Sequence, residues 1–143
     1  MEVITKSALE TQKLGEKIGC DLKPGTILAL YGELGSGKTT FIQGIAKGLG
    51  IKKRVISPTF VFMKQYGSHF YHIDLYRIEK LEDTKSLGLE EIFTDLDGII
   101  AIEWAEKIKK ILPKKRIDIY FDYISENQRK IRIKNEALFQ DYK

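Results

Sequence analysis

A glycine-rich segment in the first third of the sequence contains the residue types that bind phosphate. Its residues, Gly32-Glu33-Leu34-Gly35-Ser36-Gly37-Lys38-Thr39, match the pattern G-x-x-x-x-G-K-[ST] at every fixed position. The glycines allow successive backbone N–H groups to point at phosphate oxygens, and a helix that starts at the end of the loop adds the positive end of its dipole. Lys38 supplies an ammonium for the β- and γ-phosphates, and Thr39 supplies a hydroxyl for Mg²⁺. We therefore expect the segment to hold the phosphates of a Mg²⁺-bound nucleotide, with ATP as the first candidate.

Two acidic residues each follow an apolar run and therefore fall at the ends of predicted strands. Glu103 follows Ile99-Ile100-Ala101-Ile102, and Asp74 follows the more polar run Phe70-Tyr71-His72-Ile73. Nucleotide hydrolases with this loop hold Mg²⁺, directly or through water, with an acid at the end of a nearby buried strand. We assign Glu103 to the metal and Asp74 to orienting water or supporting the metal's coordination, although the residue types also permit the reverse. The alternative for each acid is a residue that caps a helix or faces solvent.

Three more side chains are candidates for the site, and each has a second interpretation. Thr59, in Ser57-Pro58-Thr59-Phe60, either senses the γ-phosphate and its metal as part of a switch segment or starts a strand after a fixed proline. Arg77 either neutralises phosphate charge or forms a surface ion pair. Trp104, the only tryptophan, either stacks on the adenine or fills the core. His72 has the position to bond a neighbouring carboxylate, and we expect a hydrogen-bonded core or interface histidine and not a catalytic one.

The glycine loop is informative only if a buried strand precedes it and a helix follows it. Thr26 to Tyr31 is a short apolar run of the kind found in strands buried on both faces. After the loop, Phe41, Ile42, Ile45 and Leu49 recur at helical spacing, and Gly48 and Gly50 provide a stop signal. The sequence therefore predicts the required order of strand, loop and helix.

The rest of the chain predicts further helices and strands without a linker between domains. Ser7 and Glu10 form a capping-box pattern that predicts a helix to about Ile18. The other predicted elements are two strands at Phe60–Tyr66 and His69–Arg77 joined across Gly67-Ser68, short helices in Glu79–Phe93 interrupted at Gly88, a strand at Gly98–Glu103, a helix at Trp104–Ile111 and an antiparallel hairpin over Ile117–Lys134. We expect one α/β domain that covers residues 1–143.

The amino-acid composition excludes several classes of protein but does not identify the function. The 24 basic and 20 acidic residues leave a net charge of +4, which permits contact with nucleic acid or an acidic partner without indicating either. Cys20 is the only cysteine, so an internal disulfide and a cysteine-based zinc cluster are excluded. The charged first twenty residues and the lack of long apolar runs predict a cytoplasmic protein without membrane contact.

Several segments, taken together and in order, carry a family resemblance. They are Gly32 to Phe41, Ser57-Pro58-Thr59-Phe60, His72-Ile73-Asp74-Leu75-Tyr76-Arg77, Leu87-Gly88 and Ile102-Glu103-Trp104. In this order the chain resembles the TsaE family, also called YjeE, from about Ser7 to Arg132. Many members have proline after the tryptophan, whereas Ala105 stands here and leaves that turn less constrained.

The resemblance implies an ATPase that supports synthesis of threonylcarbamoyladenosine in bacterial tRNA. Such a protein acts on the TsaB–TsaD complex and does not itself transfer the threonylcarbamoyl group. The fold implied is an α/β three-layer sandwich of the P-loop NTPase type, with a mainly parallel central sheet extended by antiparallel strands. The resemblance assigns phosphate and Mg²⁺ ligation to Lys38, Thr39 and Thr40, the acidic roles to Glu103 and Asp74, the switch to Thr59, and contact with the nucleotide to Trp104. Direct contact with tRNA stays open, and no contact with DNA is expected.

Two other functions are compatible with a phosphate-binding loop. A small-molecule kinase uses the same loop but usually adds an arginine-bearing lid, and the stretch from Glu79 to Asp97 contains no arginine. A nucleotide-dependent binding module would lock onto a partner when loaded, with slow or incidental hydrolysis. The absence of an arginine-bearing lid favours the accessory ATPase over the kinase, whereas the binding module differs from the ATPase only in whether turnover needs hydrolysis.

Overall fold

The computed structural model describes residues 1–56 and 62–134 of the chain, apart from the side chain of Ser86. Its strands are β1 (Glu2–Thr5), β2 (Ile27–Tyr31), β3 (Met63–Tyr66), β4 (Phe70–Asp74), β5 (Ile99–Glu103), β6 (Ile117–Tyr123) and β7 (Arg129–Lys134). Its α-helices are α1 (Ala8–Asp21), α2 (Lys38–Gly48) and α3 (Leu89–Ile92), and 3₁₀ helices span Leu81–Leu87 and Ala105–Ile108.

The strands that the structure describes form one mixed sheet in the order β1-β7-β6-β2-β5-β4-β3. The four central strands, β6, β2, β5 and β4, run parallel to one another. On one side β7 and β1 extend the sheet with antiparallel pairing, and on the other side β3 pairs antiparallel with β4. The predicted fold class, a mainly parallel α/β sheet extended by antiparallel strands, is confirmed.

Both faces of the central strands are covered, which explains why their sequences are apolar throughout. On one face, α1 and α2 pack over the sheet with a core that includes Leu28, Leu30, Phe41 and Ile45. On the other face, the 3₁₀ helices and α3 cover β2, β5 and β4, with Ala29, Ile73, Ile100 and Ile102 in the core. Because residues of β2 and β5 are buried on both sides, their hydrophobic runs lack the alternation of a half-exposed strand.

The helices α1 and α2 approach each other so closely that glycine is required between them. A Cβ atom at Gly44 of α2 would lie 2.0 Å from the carbonyl oxygen of Gln12 in α1. A Cβ at Gly15 of α1 would lie 2.3 Å from the carbonyl oxygen of Phe41 in α2. The contacting atoms belong to the backbone and have no rotamer to change. This contact fixes the position of α2, whose first turn contains Lys38 and Thr39.

The element predictions are mostly confirmed, with differences at the ends. Ser7 caps α1 by accepting from the N–H of Glu10, while the Glu10 carboxylate accepts from the N–H of Lys6, one residue before the cap. The helix continues to Asp21, beyond the predicted end near Ile18. The sequence did not predict β1, because a strand of four residues whose pairing partner, β7, lies more than a hundred residues away leaves no local signal.

Two predicted elements around the candidate site are shorter than expected. The strand predicted at His69–Arg77 ends at Asp74, so Arg77 lies in the loop beyond it. The helix predicted at Trp104–Ile111 is a 3₁₀ helix of four residues, Ala105–Ile108. The start of the strand predicted at Phe60–Tyr66 lies outside the described residues, and the described part begins at Met63. Within the described ranges, no helix has the length and apolar character needed to span a bilayer.

We predict that Gly44→Ala destabilises the protein. Alanine raises helix propensity by about 1 kcal/mol, but a methyl group 2.0 Å from the Gln12 carbonyl forces the helices apart. Overpacking of this kind costs about 1–3 kcal/mol, so the net free energy of unfolding decreases. Urea denaturation measures the change, and Lys47→Ala, at an exposed position of the same helix, is the matched control. An unchanged or increased free energy of unfolding for Gly44→Ala would contradict the packing described for α1 and α2.

Candidate nucleotide-binding site

The glycine loop lies at the carboxyl edge of the parallel strands, between the end of β2 and the start of α2. Gly37 has a φ of +101° and forms the N-cap of α2, a conformation that side chains rarely adopt. At Gly32 a Cβ atom would lie 2.7 Å from the carbonyl oxygen of Phe121, so the loop passes directly against β6. The first backbone N–H groups of α2 therefore point into the space at the carboxyl ends of the parallel strands.

Lys38 is enclosed by this loop and by an aromatic ring. Its side chain is only 4% exposed, and its ammonium donates to the carbonyl oxygen of Gly32. The ammonium also lies 3.7 Å from the centre of a Trp104 ring. Burial lowers the pKa of Lys38 below its usual value, although Glu103 and other nearby carboxylates oppose the shift. A buried cation of this kind favours an anionic ligand such as a phosphate.

The two predicted acids lie side by side at the same sheet edge. Asp74 ends β4, Glu103 ends β5, and the two residues are directly paired in the register of these strands. The Thr39 hydroxyl donates to the Glu103 carboxylate, with distances of 3.1 and 3.2 Å to its two oxygens. Asp74 accepts from the backbone N–H of Tyr76 at 3.0 Å. The structure thus brings Thr39 and both acids to one end of the glycine loop.

Glu103 has a second partner that comes from β4. It is 3% exposed, and one of its oxygens lies 2.7 Å from Nε2 of His72, which is fully buried. His72 is therefore a hydrogen-bonded core histidine, as the sequence analysis expected. The carboxylate receives hydrogen bonds from α2 and from β4, which offsets the free-energy cost of burying its charge.

Trp104 directly follows Glu103 and has a backbone φ of +60°, the only positive φ at a residue other than glycine in the described part of the chain. For a bulky residue this conformation costs on the order of 1–3 kcal/mol, and such outliers cluster at functional sites. The ring is partly exposed, lines the cavity beside the loop and lies 5.3 Å from the ring of Tyr76. Its position differs from that of a residue that only fills the core.

A cavity of about 490 Å³ joins these groups, a volume within the range of ligand pockets. Among the predicted residues, Leu34, Gly35, Ser36, Gly37, Lys38, Thr39, Thr40, Asp74, Glu103 and Trp104 line it, and so does Arg77. Glu33 is exposed at the tip of the loop and is not one of the lining residues. Thr59 lies outside the described residues, and its switch role therefore stays a prediction.

The sequence analysis missed a second wall of the cavity. Arg129, at the start of β7, donates from Nη2 to the carbonyl oxygen of Gly35 at 3.1 Å and lines the cavity. Ser7 and Thr11 at the start of α1 line the same side. A single arginine in an alternating strand has no local signal of this role, because only the pairing of β6 with β7 brings it to the loop. The capping box did mark the start of α1, although not its proximity to the cavity.

The donor atoms in the cavity fit a Mg²⁺-bound phosphate. A hydroxyl and two carboxylates offer the hard oxygen ligands that Mg²⁺ prefers, and this ion usually takes its other ligands from water and phosphate. The buried hydroxyl of Ser36 in the loop has no hydrogen-bond partner among the described residues, which fits an incoming phosphate oxygen.

Comparison with known proteins identifies relatives along almost the whole chain. Residues 5–131 match the family model described as threonylcarbamoyl adenosine biosynthesis protein TsaE. The chain is 40% identical over 125 residues to the tRNA threonylcarbamoyladenosine biosynthesis protein TsaE of Bacillus subtilis, covering 85% of this chain and 77% of the relative. It is 34% identical over 135 residues to the protein of the same name from Treponema pallidum, covering 93% of this chain and 99% of the relative.

The fold also matches that of a solved structure. The crystal structure of Bacillus subtilis YdiB superposes with a TM-score of 0.83 at 32% sequence identity. The match covers 99% of this chain and 92% of that protein.

We predict that Lys38→Met raises the free energy of unfolding at neutral pH. The pKa of Lys38 is lowered from 10.5 by burial, so the folded state binds its proton less tightly than the unfolded state does. Below the lowered pKa the lysine is charged in both states and the full penalty is present. As pH rises through the lowered pKa toward 10.5, the native lysine loses its proton first and the penalty disappears. The advantage of the variant should therefore decrease at alkaline pH.

Urea denaturation between pH 7 and pH 10.5 checks this prediction. Lys47→Met is the control, because Lys47 is an exposed lysine on the same helix. If Lys38→Met is less stable than the unmodified chain at neutral pH, the contacts of the ammonium with Gly32 and Trp104 outweigh its burial and the prediction is wrong.

Proposed function

Because the chain belongs to the TsaE family, which acts in tRNA threonylcarbamoyladenosine biosynthesis, we propose that it is an accessory ATPase of that pathway. In this proposal a single cytoplasmic domain binds ATP with Mg²⁺, hydrolyses it to ADP and phosphate, and acts on the TsaB–TsaD complex to support repeated rounds of modification. The observation that carries the proposal is the contact of the Thr39 hydroxyl with the Glu103 carboxylate at the end of the glycine loop. It joins a phosphate-binding element to an acid suited to a metal.

The polar groups of the glycine loop and the two acids have roles in the proposed hydrolysis. The loop from Glu33 to Thr40 surrounds the phosphates with backbone N–H groups, and the Lys38 ammonium neutralises charge on the β- and γ-phosphates. Thr39 and Glu103 would hold Mg²⁺, which when bound would neutralise part of the phosphate charge. Asp74, the neighbour of Glu103, orients water for in-line attack on the γ-phosphorus or supports the metal. The bond from this phosphorus to the bridging oxygen then breaks and leaves ADP.

Two side chains of the cavity are suited to contact a nucleoside. The Trp104 ring lies beside Lys38 and Arg129 contacts the glycine loop at Gly35, so a base or a ribose in the cavity would meet an aromatic and a cationic side chain. Such contacts are favourable for a base of any identity, because every base has an aromatic face. Within the proposal, Trp104 contacts the nucleotide, and Thr59 senses the γ-phosphate.

Exposed apolar side chains around the cavity support the existence of a protein partner. Leu34 at the tip of the loop is 73% exposed, Tyr76 is 50% exposed, and Tyr123 beside Arg129 is 58% exposed. A group of exposed apolar residues at a site edge is typical of an interaction surface. The TsaB–TsaD complex is the partner that we propose for it, while direct contact with tRNA stays open.

The alternative as a small-molecule kinase is disfavoured by the segment in which a lid would be expected. Leu81, Leu87 and Ile92 from this segment pack against the sheet face below β2, β5 and β4. The segment contains no arginine, and none of its side chains that the structure describes lines the cavity. It therefore does not resemble the arginine-bearing lid of a kinase. The binding module without productive hydrolysis is separated from the ATPase by the first experiment below.

We predict that Glu103→Ala still docks onto TsaB–TsaD with ATP but stops repeated rounds of tRNA modification. The glycine loop and Lys38 are retained, whereas the carboxylate that would hold the metal is lost. Modified nucleoside per protein and complex formation are measured with TsaB, TsaD, threonylcarbamoyl-adenylate and tRNA. Glu90→Ala, at an exposed position of α3, is the control. Full multiple-turnover modification by Glu103→Ala would exclude the ATPase and leave the binding module.

We also predict weak hydrolysis by the isolated chain and stimulation by TsaB and TsaD. Arginine fingers increase the rate by on the order of 10³-fold or more, and Arg77 is the only arginine that the sequence predicts near the phosphates. Phosphate release is measured with and without the partners, and Lys38→Met provides the background rate. A rate that does not change when both partners are added contradicts the prediction.

A further inference from the structure

His72 contacts Glu103 but has no role in the proposed hydrolysis. His72 lies on β4 opposite Ala101, and Glu103 lies two residues further along β5 on the same face of the sheet. Such diagonal neighbours on paired strands are within reach of long side chains. The observed distance of 2.7 Å between Nε2 and a carboxylate oxygen is that of a strong hydrogen bond.

The histidine ring has one polar anchor among the described residues. His72 is 0% exposed, and its Nδ1 atom has no hydrogen-bond partner in that part of the chain. An apolar side chain at this position would cover the sheet without burying two ring nitrogens. The bond from Nε2 to Glu103 is therefore the contact that a histidine makes here and an apolar residue does not.

Glu103 in turn contacts the first turn of α2. Its carboxylate accepts from His72 on β4 and from the hydroxyl of Thr39, so three elements are joined through one side chain. The Thr39 hydroxyl has one hydrogen, and when that hydrogen points to Glu103 the lone pairs of its oxygen face away from the carboxylate. Removal of the His72 donor would leave Glu103 with Thr39 as its one side-chain hydrogen-bond partner among the described residues, and with greater freedom to rotate.

We propose that His72 is a positioning residue that holds the Glu103 carboxylate against Thr39, so that both oxygen donors are in place before Mg²⁺ and nucleotide arrive. The inference rests on the proposed function, because it assigns Mg²⁺ to Thr39 and Glu103. Groups that orient a metal ligand typically change metal affinity about 10- to 100-fold when they are replaced. His72 should therefore affect the dependence of nucleotide binding on Mg²⁺, and not the contact of phosphates with the loop.

The test uses two amide variants of the full chain, which differ in the reach of their N–H donor. In His72→Gln the amide nitrogen reaches close to the position of Nε2, whereas in His72→Asn it stays near that of Nδ1. Binding of ADP is measured by calorimetry in EDTA and at increasing concentrations of MgCl₂. We expect His72→Asn to need about 10- to 100-fold more Mg²⁺ for the same gain in ADP affinity, with unchanged affinity in EDTA. His72→Gln should retain more of the gain.

Two controls separate positioning from folding. Ile73→Val alters a buried residue on the opposite face of β4, so it reports the effect of destabilising the strand alone. In a Glu103→Gln background, His72→Asn should cause no further loss of the Mg²⁺ effect, because His72 acts through that carboxylate. Thermal unfolding of each variant verifies that the proteins compared are folded.

The outcomes distinguish this inference from the proposed function. If the unmodified chain shows no Mg²⁺-dependent gain in ADP affinity, the proposed nucleotide site is wrong. If that gain is present and His72→Asn retains it fully, or if both amide variants lose it equally, the positioning role is overturned while the proposed function stands. Additive losses in the Glu103→Gln background would overturn the role as well.

Discussion

The buried carboxylate of Glu103 is the constraint on which the site depends. A charged group that is 3% exposed needs donors, and the fold provides them from α2 and β4 through Thr39 and His72. These donors meet only because β4 and β2 are the neighbours of β5 in a parallel arrangement. Burial of this carboxylate therefore depends on the strand order, on the position of α2 and on the orientation of the acid together. Loosening any of them would leave a buried charge with too few partners.

Several groups at the same edge of the sheet lower the stability of the folded chain but suit the binding of a ligand. The Lys38 ammonium is buried and its pKa is lowered, and the Ser36 hydroxyl is buried without a partner among the described residues. Trp104 has a left-handed backbone conformation, which is unfavourable for a bulky residue. The packed core and the close contact of α1 with α2 hold these groups in place. Within the proposed function, Lys38 and Ser36 would contact the phosphates and Trp104 would contact the nucleotide.

The sequence predicted the features that depend on residues close together in the chain, and it missed those that depend on residues far apart. The strand, loop and helix around Gly32–Thr39, and the acids at the ends of β4 and β5, are local patterns, and the structure has them where they were expected. The contact of Arg129 with the loop, the strand β1 and the bond from His72 to Glu103 depend on which strands become neighbours. That order is set by the packing of the whole sheet, and a single sequence contains no local record of it.

The antiparallel extension of the sheet gives the cavity its second wall. Because β7 pairs with β6, Arg129 reaches the carbonyl oxygen of Gly35, and its guanidinium also binds carbonyl oxygens of the turn that joins the two strands. The turn and the glycine loop are thus connected through one side chain. Leu34 and Tyr123, which the proposed function assigns to a partner surface, are exposed next to this connection, because Leu34 precedes Gly35 and the Tyr123 ring contacts the Arg129 guanidinium. Arg129 therefore links the antiparallel part of the sheet to the loop that follows β2.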